Sequence, residues 1–559
     1  MSDERTIRLG STAGEAQSLA APGAAKGEGQ ARSAQATNRI TGGARWWALG
    51  AVLLTMFFSS LDQTVVSTAM PVIIGDLKGF AIYAWVFTAY MMASAITVPI
   101  YGKLSDIYGR KPFYMFGLAV FMVGSALSGQ AHTMMQLVLF RGLQGVGAGA
   151  MMSMPRATIG DIFNPRERGS WMGVITMTFG LATIIGPFLG GWITDHWGWR
   201  WVFYINLPVA ALALAGIGLA LPRVRTEHRV HVDWLGSMLL VVGILPLLLG
   251  FTWAGSRYRW DSVQIIGLFA FAALALAVFG WAENRAEEPV VPTRFFRVPV
   301  FVTTNAISLL MTLGMFGVML FLPVYVQGVL GLSPQNSGAV MTPMMLSFIL
   351  GAMVSGQIMT RTGRYKATAI VSAAVMSGGL FWMTRLGPSA GWSTVVRDML
   401  VMGVGIGGLM PIMNLAVQNA FPYRDMGAVT STQQFVTSLA GVIAAPILGT
   451  VLNNAFAARL KTGLPSGLRL PAAVQPQNLI NAQAQAAIRA QFAGLGAQGP
   501  ALYQRFIAAV RDALAGGMQR MFLIAFIFAV AALAVTFALP AESLKRDDFY
   551  REGKEPAAD

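Results

Sequence analysis

The sequence predicts an all-α polytopic membrane protein of fourteen transmembrane helices, arranged as two six-helix bundles with two further helices inserted between them. Three observations carry that prediction. Of the 559 residues, 55% are hydrophobic and only 12% charged, half the charged fraction that keeps a soluble surface wet. Stretches of about twenty apolar residues, the length that crosses a bilayer core as a helix, recur fourteen times along the chain. Landmarks in the first six stretches return in the last six.

The elements follow in order. Residues 1–45 are rich in Gly, Ala, Ser and Gln with scattered charges and no apolar run, so they read as a disordered cytoplasmic tail without a signal peptide. The first bundle, 46–221, holds spans at 46–74, 83–102, 113–130, 133–154, 170–192 and 201–221. A linker over 222–299 contains the two extra spans, 235–254 and 262–282, between short charged links at 222–234 and 283–299. The second bundle, 300–540, holds spans at 301–325, 338–359, 368–386, 394–418, 428–452 and 519–539. Residues 453–518 are expected as an external loop and 541–559 as a second cytoplasmic tail. Near the end of that loop Leu502, Phe506, Val510 and Leu514 recur every four residues, a helical period. The favoured reading is a loop helix folded over the external face; the alternative is an outward extension of the last span.

The internal repeat is visible without any alignment. Gly102-Lys-Leu-Ser-Asp106-Ile-Tyr-Gly109-Arg110-Lys111 follows the second span, and Gly356 to Lys366, with Arg361, Gly363 and Arg364, follows its later counterpart. Both read G-x6-G-R, 254 residues apart. Gly145-Val-Gly147-Ala-Gly149 is echoed by Gly403-Val-Gly405-Ile-Gly407, 258 residues on. Paired six-helix halves with a binding site between them are a transporter architecture.

Charge and residue usage exclude several functions. The formal charge of +15 suggests nucleic acid at first sight, but 26 of the 40 Lys and Arg fall in one alternate set of connections plus the tails, against 12 on the other side. That is the positive-inside pattern, with both termini cytoplasmic, and it argues for a lipid bilayer as partner and against nucleic acid. The chain has no cysteine, so disulfides and thiol chemistry are excluded. His132, His196, His228 and His231 sit in polar connections without metal-binding spacing, and no GxxxxGK[ST] loop for ATP occurs. No cofactor, no metal and no catalytic residue are expected, and a monomer is the expected state.

Few charges lie deep in a span. Asp62 sits about 25 Å into the first helix and Arg141 about 13 Å into the fourth. Each needs a partner or a wet cavity, and each is the natural partner of the other. A static ion pair is the bland reading; proton relay by the carboxylate is the functional one, because burial and a moving guanidinium push its proton affinity in opposite directions. Arginine stays charged throughout and is not the carrier. Arg141, Gln144, Gly145, Ala148 and Met152 share one face of the fourth helix, a face suited to a wet cavity. Phe316, Tyr325, Asn414, Gln418, Gln433 and Gln434 are the expected cavity residues of the second half, large apolar walls with few polar anchors suiting lipophilic ligands. Arg397 and Asp398 lie near the outer end of the twelfth span and read as interfacial.

These motifs, in this order, resemble those of the major facilitator superfamily, and in particular its fourteen-span drug:proton antiporters. The residues that carry the resemblance are Gly102 to Lys111, Leu61-Asp62-Gln63-Thr64-Val65-Val66 through Pro71, Leu137 through Arg141 with Gln144, Gly145 and Gly149, Gly186-Pro187-Phe188-Leu189-Gly190-Gly191, and Trp199-Arg200-Trp201 with Asn206 and Pro208. The likeness covers nearly all of 46–540 and implies the major facilitator fold in a bacterial cytoplasmic membrane. It further implies a conformational latch of Gly102, Asp106, Gly109, Arg110 and Lys111, with Asp161 as partner of Arg110 and the Asp106 carboxylate meeting a helix N-terminus. The second copy has Thr360 in place of Asp106, so a one-sided latch is expected. Gly186 and Pro187 imply a kink, Gly190 and Gly191 close helix packing, and the resemblance attaches export to that segment. The implied activity is proton-coupled export of lipophilic neutral or monocationic compounds, with an endogenous lipid, siderophore or metabolite as the alternative cargo.

Overall fold

The computed structural model describes residues 43–540 apart from 78–81, 83, 164, 222–232, 256, 288, 333, 423–424, 464–488, 491 and 493–498. The expected tails, most of the 222–234 link and much of the 453–518 segment thus lie outside the described residues. The membrane helices are α1 (Gly43–Leu77), α2 (Ala84–Tyr108), α3 (Arg110–Gly129), α4 (Met134–Ile162), α5 (Pro165–Trp197) and α6 (Asn206–Ala220, led in by the single turn Trp201–Tyr204). Then come α7 (Trp234–Trp253), α8 (Val263–Glu283), α9 (Pro299–Gly328), α10 (Pro334–Thr362), α11 (Lys366–Met383), α12 (Trp392–Ala420), α13 (Met426–Gly463) and α14 (Gly499–Phe537).

Thirteen of the described helices are long and apolar enough to cross a bilayer. The exception is α4, whose 29 residues give about 43 Å, ample for a crossing. Its composition fails because it carries Arg141, Gln144 and Arg156, all buried. It tolerates them because it packs against α1, α2 and α3 rather than lipid, so its polar atoms meet protein. Side chains set the starts of several helices. Thr133 accepts the Gln136 N–H at α4, and Asp233 accepts the Gly236 N–H at α7, each satisfying a donor left orphaned at a helix N-terminus.

The packing itself is duplicated. In the first half α4 packs on α2 and α3, α1 on α5 and α6, and α3 on α6. In the second half α12 packs on α10 and α11, α9 on α13 and α14, and α11 on α14. Each pair is the other displaced by eight helices. The halves meet along two seams, α2 with α13 and α5 with α10, which exchange under the same displacement. Gly109 and Gly363 occupy the two equivalent turns with φ of 89° and 66°, a backbone conformation that only glycine adopts without strain.

The inserted α7 and α8 pack on each other, and α7 lies against α2 and α13. Met92 and Ile96 of α2, Leu240 and Leu248 of α7, and Phe435 and Val442 of α13 share one buried cluster. One seam is therefore covered by the insertion.

The 453–518 segment differs from the favoured expectation. Residues 453–463 continue α13 and 499–518 belong to α14, so the last two helices project outward as 38- and 39-residue rods, about 57 Å each. The four-residue stripe finds its partner on α13: Phe506, Val510 and Leu514 are buried in one cluster with Phe456 and Leu460, and Arg459 pairs with Asp512 at 3.3 Å. With that apolar face covered, nothing drives the helix to fold back.

Candidate functional site

Asp62 lies in the interior of the first half, 1% exposed, with Arg141 at 0%. Arg141 Nη1 donates to Asp62 Oδ2 at 2.5 Å and to Gln144 Oε1 at 2.7 Å. The second carboxylate oxygen, Oδ1, accepts from Gln144 Nε2 at 3.0 Å and Asn206 Nδ2 at 2.8 Å. Ser125 ties both amides together, accepting from Gln144 at 3.3 Å and Asn206 at 3.1 Å while donating to Phe203 O at 2.8 Å. The Tyr90 ring lies 4.1 Å from the guanidinium, a cation–π contact in a dry site. Five helices, α1, α2, α3, α4 and α6, each supply part of this shell. Charge-assisted bonds of this kind are roughly twice as strong as neutral ones, so both charges are held; yet Arg141 Nε and Nη2 have no partner.

On the face of the bundle that carries both described chain ends, here the terminal face, a second network ties the halves. Asp106 accepts the backbone N–H of Gly427 at 3.1 Å and of Ala428 at 2.7 Å, orphan donors in the first turn of α13, where the helix dipole favours an anion. Arg110 Nη1 holds Asp106 Oδ1 at 2.5 Å and Ser105 Oγ at 2.6 Å, while its Nε holds Asp161 Oδ2 at 2.9 Å. Gly102 packs where a Cβ would strike Ser431 of α13, which is why α2 and α13 approach so closely. Lys111 donates to Gly218 O of α6. The side chain of Thr360, the counterpart of Asp106, lies outside the described residues.

Along α5, Gly186 faces Thr64 and Gly190 faces Thr68 and Val65, so a Cβ at either would collide with α1. Gly191 has open space around its Cβ position. The helix runs through this segment, and the Pro187 side chain lies outside the described residues. On the far face, Asp76 accepts from Trp199 Nε1 at 2.8 Å and Arg200 Nη1 at 3.1 Å. These two hydrogen bonds, with the arginine charge, hold its carboxyl below the usual range.

The eight expected cavity residues do not converge. Gln144 belongs to the Asp62 cluster, so the polar face of α4 at that level meets protein and not a wet cavity. Tyr325 is buried in the second half's own core, its hydroxyl donating to Gly387 O at 2.8 Å. Phe316 packs toward Gly441, and Asn414 donates back to Met410 O of its own helix at 3.0 Å. Met152 accepts from Ser94 Oγ at 3.7 Å, Gln418 and Gln433 are buried, and Gln434 meets Arg156 across the halves. Asp398 is fully buried while Arg397, its partner at 2.8 Å, is half exposed; only the arginine is interfacial. Sequence reasoning missed Arg156, which it counted among the loop cations, and gave Ser125 and Tyr90 no role in the cluster. An i, i+4 projection from Met152 would have placed Arg156 on the inward face.

The Major Facilitator Superfamily model matches residues 52–445. The chain is 38% identical over 519 residues to the multidrug transporter protein MdtP of Bacillus subtilis (strain 168), covering 91% of this chain and 95% of that one. It is 36% identical over 493 residues to multidrug resistance protein 3 of the same strain, covering 87% and 93%. Among solved structures, the proton:xylose symporter XylE superposes with a TM-score of 0.58 at 13% identity, over 89% of this chain and 98% of that one, a likeness of fold. The chain belongs to the major facilitator superfamily and is a multi-pass membrane transporter.

Proposed function

We propose that this transporter exports lipophilic, neutral or monocationic compounds in exchange for protons by alternating access, from a bacterial cytoplasmic membrane with the terminal face in the cytoplasm. The observation that carries the proposal is the Asp62 carboxyl, sealed inside the first half against a guanidinium that cannot discharge. A proton arriving on Asp62 removes the negative charge that neutralises Arg141, and a buried unpaired cation costs several kcal/mol. The conformation with both charges paired is therefore favoured when Asp62 is ionised, and a wetter arrangement of α4 when it is protonated. The pattern of 26 against 12 basic residues supports the orientation. With the terminal face cytoplasmic, the Asp106 contact to α13 represents a state closed to the cytoplasm. The printed descriptions of the relatives, a multidrug transporter and a multidrug resistance protein, support the cargo class. The partners in this reading are protons, a lipophilic small molecule and the bilayer, with no nucleic acid and a single chain.

The test is Asp62→Asn in proteoliposomes with an imposed pH gradient and a panel of lipophilic dyes. Proton-driven efflux is expected to fall at least a hundredfold, while downhill exchange of dye persists. Efflux at the wild-type rate would end the proposal. The outward rods of α13 and α14 favour a second reading, export of an endogenous lipid. Reconstitution with labelled lipid in place of dye separates the two.

A further inference from the structure

The fourth helix carries a second buried cation that the Asp62 cluster leaves unused. Arg156 lies about 22 Å beyond Arg141 along α4, 5% exposed, where α4 meets α13 of the other half. Its Nη1 donates to Met152 O at 3.1 Å and to Gln434 Oε1, and its Nε has no partner. No carboxylate among the described residues pairs with it: its only side-chain acceptor is that neutral amide. One turn along the same face is Gly160, and a Cβ there would lie 3.9 Å from Gln418 Oε1 and 3.1 Å from Met426 Cγ. Gln418 is 1% exposed, and neither its amide nitrogen nor its oxygen has a partner.

An uncompensated guanidinium at this depth is strongly disfavoured, and so is each unsatisfied buried amide group. These groups lie together on the surface along which the halves separate, so opening of the terminal face uncovers all of them at once. A guanidinium fork with a free edge matches a carboxylate in geometry and charge. The neighbouring amide of Gln418 supplies a further donor, and Met152 and Met426 supply adaptable apolar surface.

We propose that Arg156, with Gln418 and Gln434, is a binding site for lipophilic carboxylates, a cargo class beyond the neutral and monocationic compounds. The acid replaces Gln434 on the guanidinium once the halves part; a lipophilic cation has no favourable partner at this point.

The test is equilibrium binding to the purified full-length protein by fluorescence anisotropy, with two dyes on one xanthene scaffold: fluorescein, which carries a carboxylate, and cationic rhodamine 123. Arg156→Gln is expected to weaken fluorescein at least tenfold and leave rhodamine 123 unchanged or tighter, with Arg156→Lys in between. Gln434→Glu supplies the missing carboxylate internally; it is expected to fold at least as well as the wild type and to exclude fluorescein. No fluorescein binding by the wild type, or equal binding by Gln434→Glu and the wild type, overturns the site. So does a common factor for both dyes, which leaves Arg156 as a gate contact alone. In an Asp62→Asn background Arg156→Gln is still expected to weaken fluorescein at least tenfold relative to rhodamine 123, so failure of proton coupling and failure of this site are read separately.

Discussion

Arg141 and Asp161 stand on one continuous helix, α4, about 30 Å apart along its axis, and each anchors a different ion-pair network. Arg141 holds Asp62 inside the first half, and Asp161 holds Arg110, which holds Asp106 against the first turn of α13. A single rod therefore joins the buried carboxyl to the contact that ties the halves. Pro155 interrupts its backbone ladder between the two, so the rod has a place to bend.

The Asp62–Arg141 pair should behave as a coupled unit in stability. Arg141→Met leaves a lone buried carboxylate and is expected to destabilise the protein by about 3–5 kcal/mol. Asp62→Asn combined with Arg141→Met removes both charges and should cost less than Arg141→Met alone, a non-additivity that thermal unfolding in detergent measures. Strictly additive losses would mean that the two charges are not each other's main stabilising partner.

The Asp106 contact with α13 can be opened from the α13 side. A Cβ at Gly427 would strike Asp106 Oδ1 and Arg110 Nη1, so Gly427→Ala should release the carboxylate from its helix N-terminus. The chain contains no cysteine, which makes a single Ser431→Cys reporter on the buried α2–α13 seam clean to read. Its maleimide reaction is expected to run at least tenfold faster with Gly427→Ala present. An unchanged rate would show that the seam is held by something other than this contact.

The α5 glycines separate by what faces them. Gly186→Ala and Gly190→Ala push a methyl into α1 and should each cost about 1–3 kcal/mol of stability, the usual penalty for overpacking, and slow transport at least tenfold. Gly191→Ala, with open space around it, should leave both within error. Equal effects at the three positions would refute the packing explanation.

Asp76 gives a pH signature on the far face. Its folded-state pKa is lowered by the Trp199 and Arg200 hydrogen bonds, so its contribution to stability is fully present above the unfolded value near pH 4. The contribution is lost as the pH falls through the lower folded value. The difference in melting temperature between the wild type and Asp76→Asn should accordingly be constant above about pH 5 and shrink toward zero in acid. A difference that grew on acidification would reverse the assignment.

Much of the site was legible in residues alone because few charges lie deep in apolar spans. Asp62 and Arg141 had almost no other partner of opposite sign, and Asp161 stands just past the fourth span, on the same side as the turn that Arg110 occupies. The neutral groups were not legible in that way. Ser125 looks like any small residue in a membrane helix, and Tyr90, Tyr325 and Phe316 like any packed ring, until the neighbouring helix is in place. Arg156 lies beyond the apolar run, which ends near residue 154, yet α4 itself continues to Ile162.

Spans, duplicated halves and the burial of Asp62 can be read from residues alone, because hydropathy and its period are properties of about twenty consecutive residues. Tertiary structure alone decided that α7 covers the α2–α13 seam, that α13 and α14 continue outward as paired rods, and that Arg156 faces Gln434 rather than water. Those outcomes depend on which helical faces meet between elements far apart in the chain. No local pattern encodes that choice, since lipid tails and apolar side chains attract an unpaired face almost equally and close packing breaks the tie.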